Sequence, residues 1–528
     1  MSLGRASATI AAGTLVSRLT GLVRTVVLVA AIGTIGRAGD AFATANALPN
    51  SIYQVISAGV LTGVIVPQVV RATAGRDRGQ AFLSKLLTLG AVLLAGMTII
   101  ATLCAPLLVS LFAHYPPEQH ALATQFAYWC LPQLFFYGMF ALLGETLNAR
   151  RLFGPYAWAP IVNNAISIAG FLVFIALFGA NQSSVEAWSS QMVMVFAGTA
   201  TVGIAAQAVV LAVFWQRAGI ALRLDFRWRG MGLSHMGRLA TWTFLTTLLG
   251  QLVGIVQQRT VSPASGEYAS VLASQNAWLV YMVPYSVIIL AIGTPYFTRI
   301  SEHAAANRDA ELRQDVGQSI RTLGLFVVIA AAAVAAAALP AARLFSNSAA
   351  DAVEVAPVLL AYLVSLLPMA VLFIVQRTFY AHGDARTPFV FTLVQAAIVL
   401  VLTIIVGQSV PIENRAAAVA LAQSVAGIIQ TVLATILLRR KLGPLGLGPT
   451  WWALGRFTLM AIPAGLAGYG VFLLTGGIDG WMLSSQLSGA IGACLVAAVC
   501  GVVYLAELAL FRVPELQVAL KAITRRGV

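Results

Sequence analysis

Charge is what this sequence has least of. Lys, Arg, Asp and Glu together make up 9% of its 528 residues, while 59% are hydrophobic. A soluble domain carries about 25% charged residues. So little charge cannot cover the surface of a soluble globule, and the chain reads as an all-α polytopic membrane protein. Cysteine is scarce too. The four present (Cys104, Cys130, Cys494 and Cys500) lie in apolar runs with no Cys-x-x-Cys pair. That excludes a zinc ribbon or a disulfide framework and leaves small core residues. The five histidines are scattered without metal-ligand spacing, so no metal site is expected. No nucleophile–base set appears among the apolar runs, so the chain is not expected to be an enzyme.

What is present is long apolar runs. A bilayer needs about 20 consecutive apolar residues per helix. Fourteen runs qualify, at roughly 8–36, 41–70, 86–113, 121–147, 156–179, 190–216, 239–261, 268–298, 320–346, 354–380, 388–409, 416–438, 453–475 and 486–511. The first is too long for the apolar part of a signal peptide and is read as a retained membrane helix. Basic residues set the orientation. With fourteen spans, 26 of the 32 Lys and Arg fall on the side of the two termini, which is therefore expected to be cytoplasmic. The exceptions are Arg18, Arg24, Arg37, Arg259, Arg343 and Arg415. This distribution also removes nucleic acid as a reading of the net charge of +14.

The chain repeats itself. Pro67–Arg71 (PQVVR) is echoed by Pro295–Arg299 (PYFTR). Thr88-Leu-Gly90, Pro106 and Leu111-Phe112 are echoed by Thr322-Leu-Gly324, Pro340 and Leu344-Phe345, and Leu131-Pro132 by Leu367-Pro368. Two six-helix repeats follow, over 1–230 and 231–445, with two further helices in 446–512 and a basic amphipathic tail over 513–528 that suits anionic membrane lipid. Six is even, so the copies share one orientation. Parallel repeats of this kind are a transporter architecture with the substrate site near midplane.

The first run holds Arg18 and Arg24 (Ser17-Arg-Leu-Thr-Gly-Leu-Val-Arg24). A guanidinium stays charged at physiological pH, and one at a helix centre in a bilayer costs roughly 2.5–3.5 kcal/mol even on the lenient scale. Arg18 lies about 15 Å into the span and Arg24 about 9 Å further, turned about 120° from it. Two readings are open. The pair can line a water-filled cavity and converge on one extended anion, Gly21 allowing a bend between them. Or it can form structural ion pairs with Asp40 or Glu145, or snorkel toward the interface. Asp40 fits the N-cap of the second span. Pro49, inside that span, is expected to kink or break it. Glu145 and Arg377 occupy corresponding ends of spans 4 and 10 and are candidates for pairing with each other or gating. Gly383-Asp384 and Pro388 mark a tight turn before span 11.

At these residues the sequence resembles the MurJ (MviN) family of lipid II flippases. The match lies in SRLTGLVR (17–24), DAFATANALPN (40–50), Gly59, Pro67 and FYAHGDARTP (379–388). The resemblance implies a member of the multidrug/oligosaccharidyl-lipid/polysaccharide exporter superfamily. Such a protein moves an undecaprenyl-diphosphate-linked peptidoglycan precursor from the inner to the outer leaflet of the bacterial cytoplasmic membrane by alternating access. Cell-wall synthesis and division proteins are the partners it suggests. It also implies that Arg18, Arg24 and Asp40 face the substrate. The chain departs from the family at Thr25, where an acid is usual, and at Ser51–Gln54 and Asn276–Val283, where arginines are common. Arg259 is a candidate to compensate. Some members bind sodium; Asp384 is a remnant candidate, without a full ligand set. The competing readings are a drug or polysaccharide-lipid exporter of the same superfamily, and a non-transporting scaffold for cell-wall synthesis.

Overall fold

The structure, a computed structural model, describes residues 3–58, 80–150, 152–217, 224–227 and 237–515. Gly59, Pro67–Arg71 and nearly all of the basic tail lie outside them. The described residues are helical throughout, with short 3-10 turns and no strand. They fall into two compact units, Met1–Glu267 and Tyr268–Val528.

The first unit contains α1 (Leu3–Ile32), α2 (Arg37–Ile56), α3 (Gln80–Leu103), α4 (Ala105–Phe112) and α5 (Pro117–Cys130). It continues with α6 (Gln133–Ala149), α7 (Phe153–Phe178), α8 (Ser190–Arg217) and α9 (Gly237–Val261). The second contains α10 (Val271–Pro284), α11 (Leu290–Ala305), α12 (Asp309–Ala336), α13 (Ala338–Leu344) and α14 (Ala349–Leu363). It ends with α15 (Leu366–Ala381), α16 (Arg386–Ser409), α17 (Arg415–Leu442), α18 (Gly448–Leu474) and α19 (Gln486–Leu510).

Helix interruptions recur along the chain. The α3–α4 break at Cys104 recurs between α12 and α13 at Ala337. The Leu131-Pro132 break between α5 and α6 recurs at Val364-Ser365, between α14 and α15. In both copies a proline follows the first break closely, at Pro106 and Pro340. Proline cannot donate the backbone hydrogen bond that would carry the preceding helix through.

Twelve helical segments among the described residues are long and apolar enough to cross a membrane. Neither α2 nor α9 is among them. The reason for α9 is its polarity, with five threonines, three glutamines and Arg259 between 241 and 260. The boundary between the units, after Glu267, also differs from the repeat boundary at 230/231. It follows packing, because α9 sits on α2 and α4. Gln258 Nε2 donates to Thr44 Oγ1 at 3.0 Å and Gln251 Nε2 to Gln54 Oε1 at 3.1 Å.

Small residues and aromatics hold the first unit together. Close approach of α7 and α8 leaves no room for a side chain at Gly203, where a Cβ would lie 2.5 Å from Asn163 Oδ1. An aromatic cluster joins α2, α5, α7 and α8. Phe42 meets Phe126 and Phe196 edge-on at 5.4 and 4.8 Å, and Trp188 stacks on Phe174 at 5.3 Å. In the second unit the buried Arg343 donates to the carbonyls of Leu483 and Ser484, at 2.8 and 3.2 Å, and to that of Ser346. It thereby fastens the turn between α18 and α19 to α13.

Candidate anion-binding site

Arg18 and Arg24 ride on a helix that is unbroken from Leu3 to Ile32. Gly21 therefore does not break the helix, and a side chain there would make only ordinary contact. A Cβ there would lie 3.6 Å from Asn164 Nδ2, and that amide fixes α1 on α7 by donating to Ser17 O at 3.0 Å and Thr20 Oγ1 at 2.9 Å. With Ser17 and Thr20 held against α7, Arg18 between them is exposed, while Arg24 is half-buried. Their different environments agree with side chains turned about 120° apart.

Neither arginine has a carboxylate within ion-pair distance among the described residues. The structural ion-pair reading with Asp40 or Glu145 is thereby corrected. Asp40 is buried inside the first turn of α2, not at its N-cap, which is Gly36. The 181–183 segment determines that start. Ala38 N–H donates to Ser183 O at 3.1 Å, and a Cβ on Gly36 would meet Ser183. A carboxylate in a first helical turn still gains from the helix dipole. Tyr115 packs over this turn, donating to the Asp40 carbonyl at 3.0 Å and lying 2.7 Å from Thr44 Oγ1. Pro49 does not break α2, which runs through it to Ile56. A single freed carbonyl is tolerated in a packed membrane helix.

What lies beside Arg24 is aromatic. Its electrostatic neighbour is Tyr137 of α6, whose ring stacks on Tyr53 of α2 at 5.9 Å. Tyr53 and Tyr156 both lie within electrostatic range of the half-buried Glu145. Sequence reasoning missed this row of hydroxyls. The available signal was three tyrosines inside apolar runs, since a tyrosine hydroxyl in such a setting needs a polar partner. Guanidinium and phenol donors together, with no carboxylate paired to the arginines among the described residues, suit an oxyanion; a guanidinium fork matches phosphate oxygens two at a time.

The remaining candidates are engaged elsewhere. Arg259 donates to the carbonyls of Ser110 and Leu111 at 2.5 and 3.5 Å, so it caps the end of α4. Arg377 lies over the rings of Phe297 and Phe373 at 5.2 and 5.1 Å, cation–π contacts within its own unit. Asp384 follows Gly383, whose φ of +69° closes α15. Its carboxylate accepts from Thr387 N–H at 3.0 Å, Thr387 Oγ1 at 2.9 Å and Lys441 Nζ at 2.7 Å. No metal-ligating group of three or more His, Cys, Asp or Glu occurs among the described residues.

Burial works to raise the Asp384 carboxyl, but the Lys441 ammonium and the two Thr387 donors outweigh it and hold the group below its usual range. A depressed carboxyl stabilises the fold above its unfolded pKa of about 3.9, and that contribution is lost as pH falls through the lower folded value. Asp384→Asn is therefore expected to lower the melting temperature at neutral pH and to leave less further loss in acid. Melting curves between pH 3 and 7 check this; parallel curves for the two proteins would refute it.

The sequence profile of the family described as "Lipid II flippase MurJ" matches residues 28–488. The chain belongs to that family. Relatives named probable lipid II flippase MurJ include one from Synechocystis sp., 25% identical over 522 residues, covering 97% of this chain and 96% of the relative. Another, from Rhizobium meliloti, is 27% identical over 450 residues, covering 82% and 80%. A solved structure of lipid II flippase MurJ in an inward closed conformation superposes with a TM-score of 0.71 at 19% identity, covering 95% of this chain and 99% of that one. An inward-facing MATE multidrug transporter gives 0.64 at 15% identity, covering 82% and 96%. These two likenesses concern the MurJ-like fold alone. Arg18 and Arg24 precede the stretch matched by the MurJ profile, so their role rests on their own geometry.

Proposed function

We propose that this chain is a multi-pass flippase of the bacterial cytoplasmic membrane. It carries lipid II, the undecaprenyl-diphosphate-linked peptidoglycan precursor, from the inner to the outer leaflet by alternating access. Family membership supports the activity. The observation that carries the mechanism is the pair of arginines in α1 without a carboxylate partner among the described residues. Arg18 and Arg24 bind the diphosphate, and the tyrosines beside Arg24 add neutral donors. In this reading α2 and α9 also cross the bilayer, giving fourteen spans with both termini in the cytoplasm. Their polarity follows from facing water rather than lipid, since polar side chains in membrane spans turn toward the bundle or a hydrated cavity. Arg259 and Asp384 are structural here. Arg377 is a gating residue in this reading and not a diphosphate ligand. An inside-negative potential favours outward transfer of the anionic head group by roughly 2.3 kcal/mol per charge per 100 mV.

The test is complementation. Cells depleted of their own lipid II flippase and supplied with this chain are expected to regain growth and outer-leaflet lipid II. Expression in the membrane without either would reject transport and favour the scaffold reading.

A further inference from the structure

In the second unit, α17 and α18 follow each other in the chain but pack on different neighbours, α17 on α14, α15 and α16, and α18 on α12 and α19. Between them lies a cavity of about 430 Å³, walled by Thr435, Ile436 and Arg439 of α17, by the connecting loop and by Trp451 of α18. Three basic residues end α17, and they are not equivalent. Lys441 is held by Asp384 at 2.7 Å and lies over the Phe379 ring at 5.5 Å. Arg440 is exposed and does not line the cavity. Arg439 lines it, as the one charged side chain in this wall among the described residues, and has no ion pair or ring contact there. Trp451 is 47% exposed, and an indole beside a basic helix end marks the boundary between water and lipid. At 100° per residue, Trp451, Gly455, Thr458, Ile462 and Tyr469 fall within about 60° of one another on α18. A Cβ on Gly455 would meet nothing within 4 Å. Beyond it, Thr458, Ile462 and Tyr469 line an uncharged groove of about 550 Å³ with Val328, Leu360 and Leu367. Thr458 and Tyr469 are about 10 and 27 Å further along the axis than Trp451, at roughly 1.5 Å per residue, which is the depth of acyl chains.

We propose that this face of the second unit holds one anionic glycerophospholipid, a resident lipid separate from the transported one, that joins α17 to α18. The phosphodiester lies against Arg439, whose fork matches two phosphate oxygens. An acyl chain runs over Gly455 into the uncharged groove. Charge decides the head group. No acid lines the cavity among the described residues, and the Asp384 carboxylate is engaged by Lys441 and Thr387. An ammonium head group therefore gains no partner, and a lipid of net negative charge is favoured over a zwitterionic one. Thr435 Oγ1 spends its proton on Thr431 O at 2.8 Å, which leaves its lone pairs to accept from a head-group hydroxyl. A free phosphate ester would use Arg439 but leave the groove empty, so the two sources of this chemistry differ in affinity.

The experiment titrates the full-length chain in detergent with dioleoyl phosphatidylglycerol, dioleoyl phosphatidylethanolamine or glycerol 3-phosphate. Native mass spectrometry follows retention of the first molecule bound, and thermal melting is measured alongside. Wild type is expected to retain one phosphatidylglycerol about tenfold more tightly than phosphatidylethanolamine, with a raised melting temperature, and to bind glycerol 3-phosphate far more weakly. Arg439→Ala should remove that preference, while Arg440→Ala, one residue away and outside the cavity, should keep it. Gly455→Phe, which has room for its side chain, should weaken phosphatidylglycerol by obstructing the acyl path and keeps the test decisive if the arginine change disturbs folding. Equal loss in Arg439→Ala and Arg440→Ala would show general attraction to a basic surface and overturn the site, as would no loss in Arg439→Ala. Unchanged binding in Gly455→Phe, or glycerol 3-phosphate bound as tightly as the lipid, would overturn the acyl-chain path and with it the phospholipid. Displacement of phosphatidylglycerol by an equal concentration of undecaprenyl diphosphate would make this a substrate site and overturn the resident lipid.

Discussion

Arg24→Ala is expected to weaken binding of undecaprenyl diphosphate by about ten- to a hundredfold, and Arg18→Ala by a similar factor. A hydrogen bond to a charged group contributes roughly 1.5–3 kcal/mol, and each 1.4 kcal/mol is about tenfold in affinity. The sign follows from what surrounds these side chains. An arginine in a structural ion pair leaves an uncompensated buried acid when removed, and the fold suffers. Neither arginine has such a partner among the described residues, so their removal relieves a desolvation cost instead. The substitutions should therefore leave the melting temperature unchanged or slightly raised while ligand binding collapses. Calorimetric titration alongside thermal melting separates the two effects. A drop in stability with binding intact would assign the arginines to structure. Arg→Lys should recover only part of the affinity, because an ammonium cannot make the paired contact of a guanidinium fork.

The second large effect is on folding. Gly203→Leu is expected to destabilise the first unit by at least the roughly 1–3 kcal/mol typical of overpacking. A Cβ at this position would lie 2.5 Å from Asn163 Oδ1 and 3.0 Å from the Asn163 carbonyl. The side chain can shift, but the backbone oxygen belongs to α7 and cannot move without separating two helices. Because α7 also carries Asn164, which orients α1, the damage should reach the arginines. Reduced yield of folded protein in detergent and a lowered melting temperature are the readouts. A Gly203→Leu protein that melts like wild type would show that α7 and α8 do not approach as closely as described.

Much of this architecture is written in the sequence because the bilayer imposes it. Lipid allows only helices with satisfied backbones, so apolar run length reveals helix order, and the echo of Pro106 in Pro340 marks the paired breaks. The arginines were legible for the same reason, as charge where charge is expensive. Contacts that depend on register were not. Asp40 has an N-cap's chemistry, yet α2 begins at Arg37 because the 181–183 segment reaches across to Ala38. Pro49 looked like a break, but local sequence does not show how the surrounding helices support α2. The placing of Arg377 over two phenylalanine rings of its own unit was not legible either. Tyr137 beside Arg24, Tyr53 stacked on it and Tyr156 near Glu145 come from three different helices, and no spacing rule shows their grouping.

The most direct test of arginine-dependent flipping is translocation in proteoliposomes containing only this chain and lipid II. Head-group accessibility to an external enzyme would be followed for wild type and for the Arg18→Ala/Arg24→Ala double variant at equal incorporation. The expected result is time-dependent transfer across the bilayer with wild type and none above protein-free vesicles with the variant. Equal transfer by both proteins would contradict it.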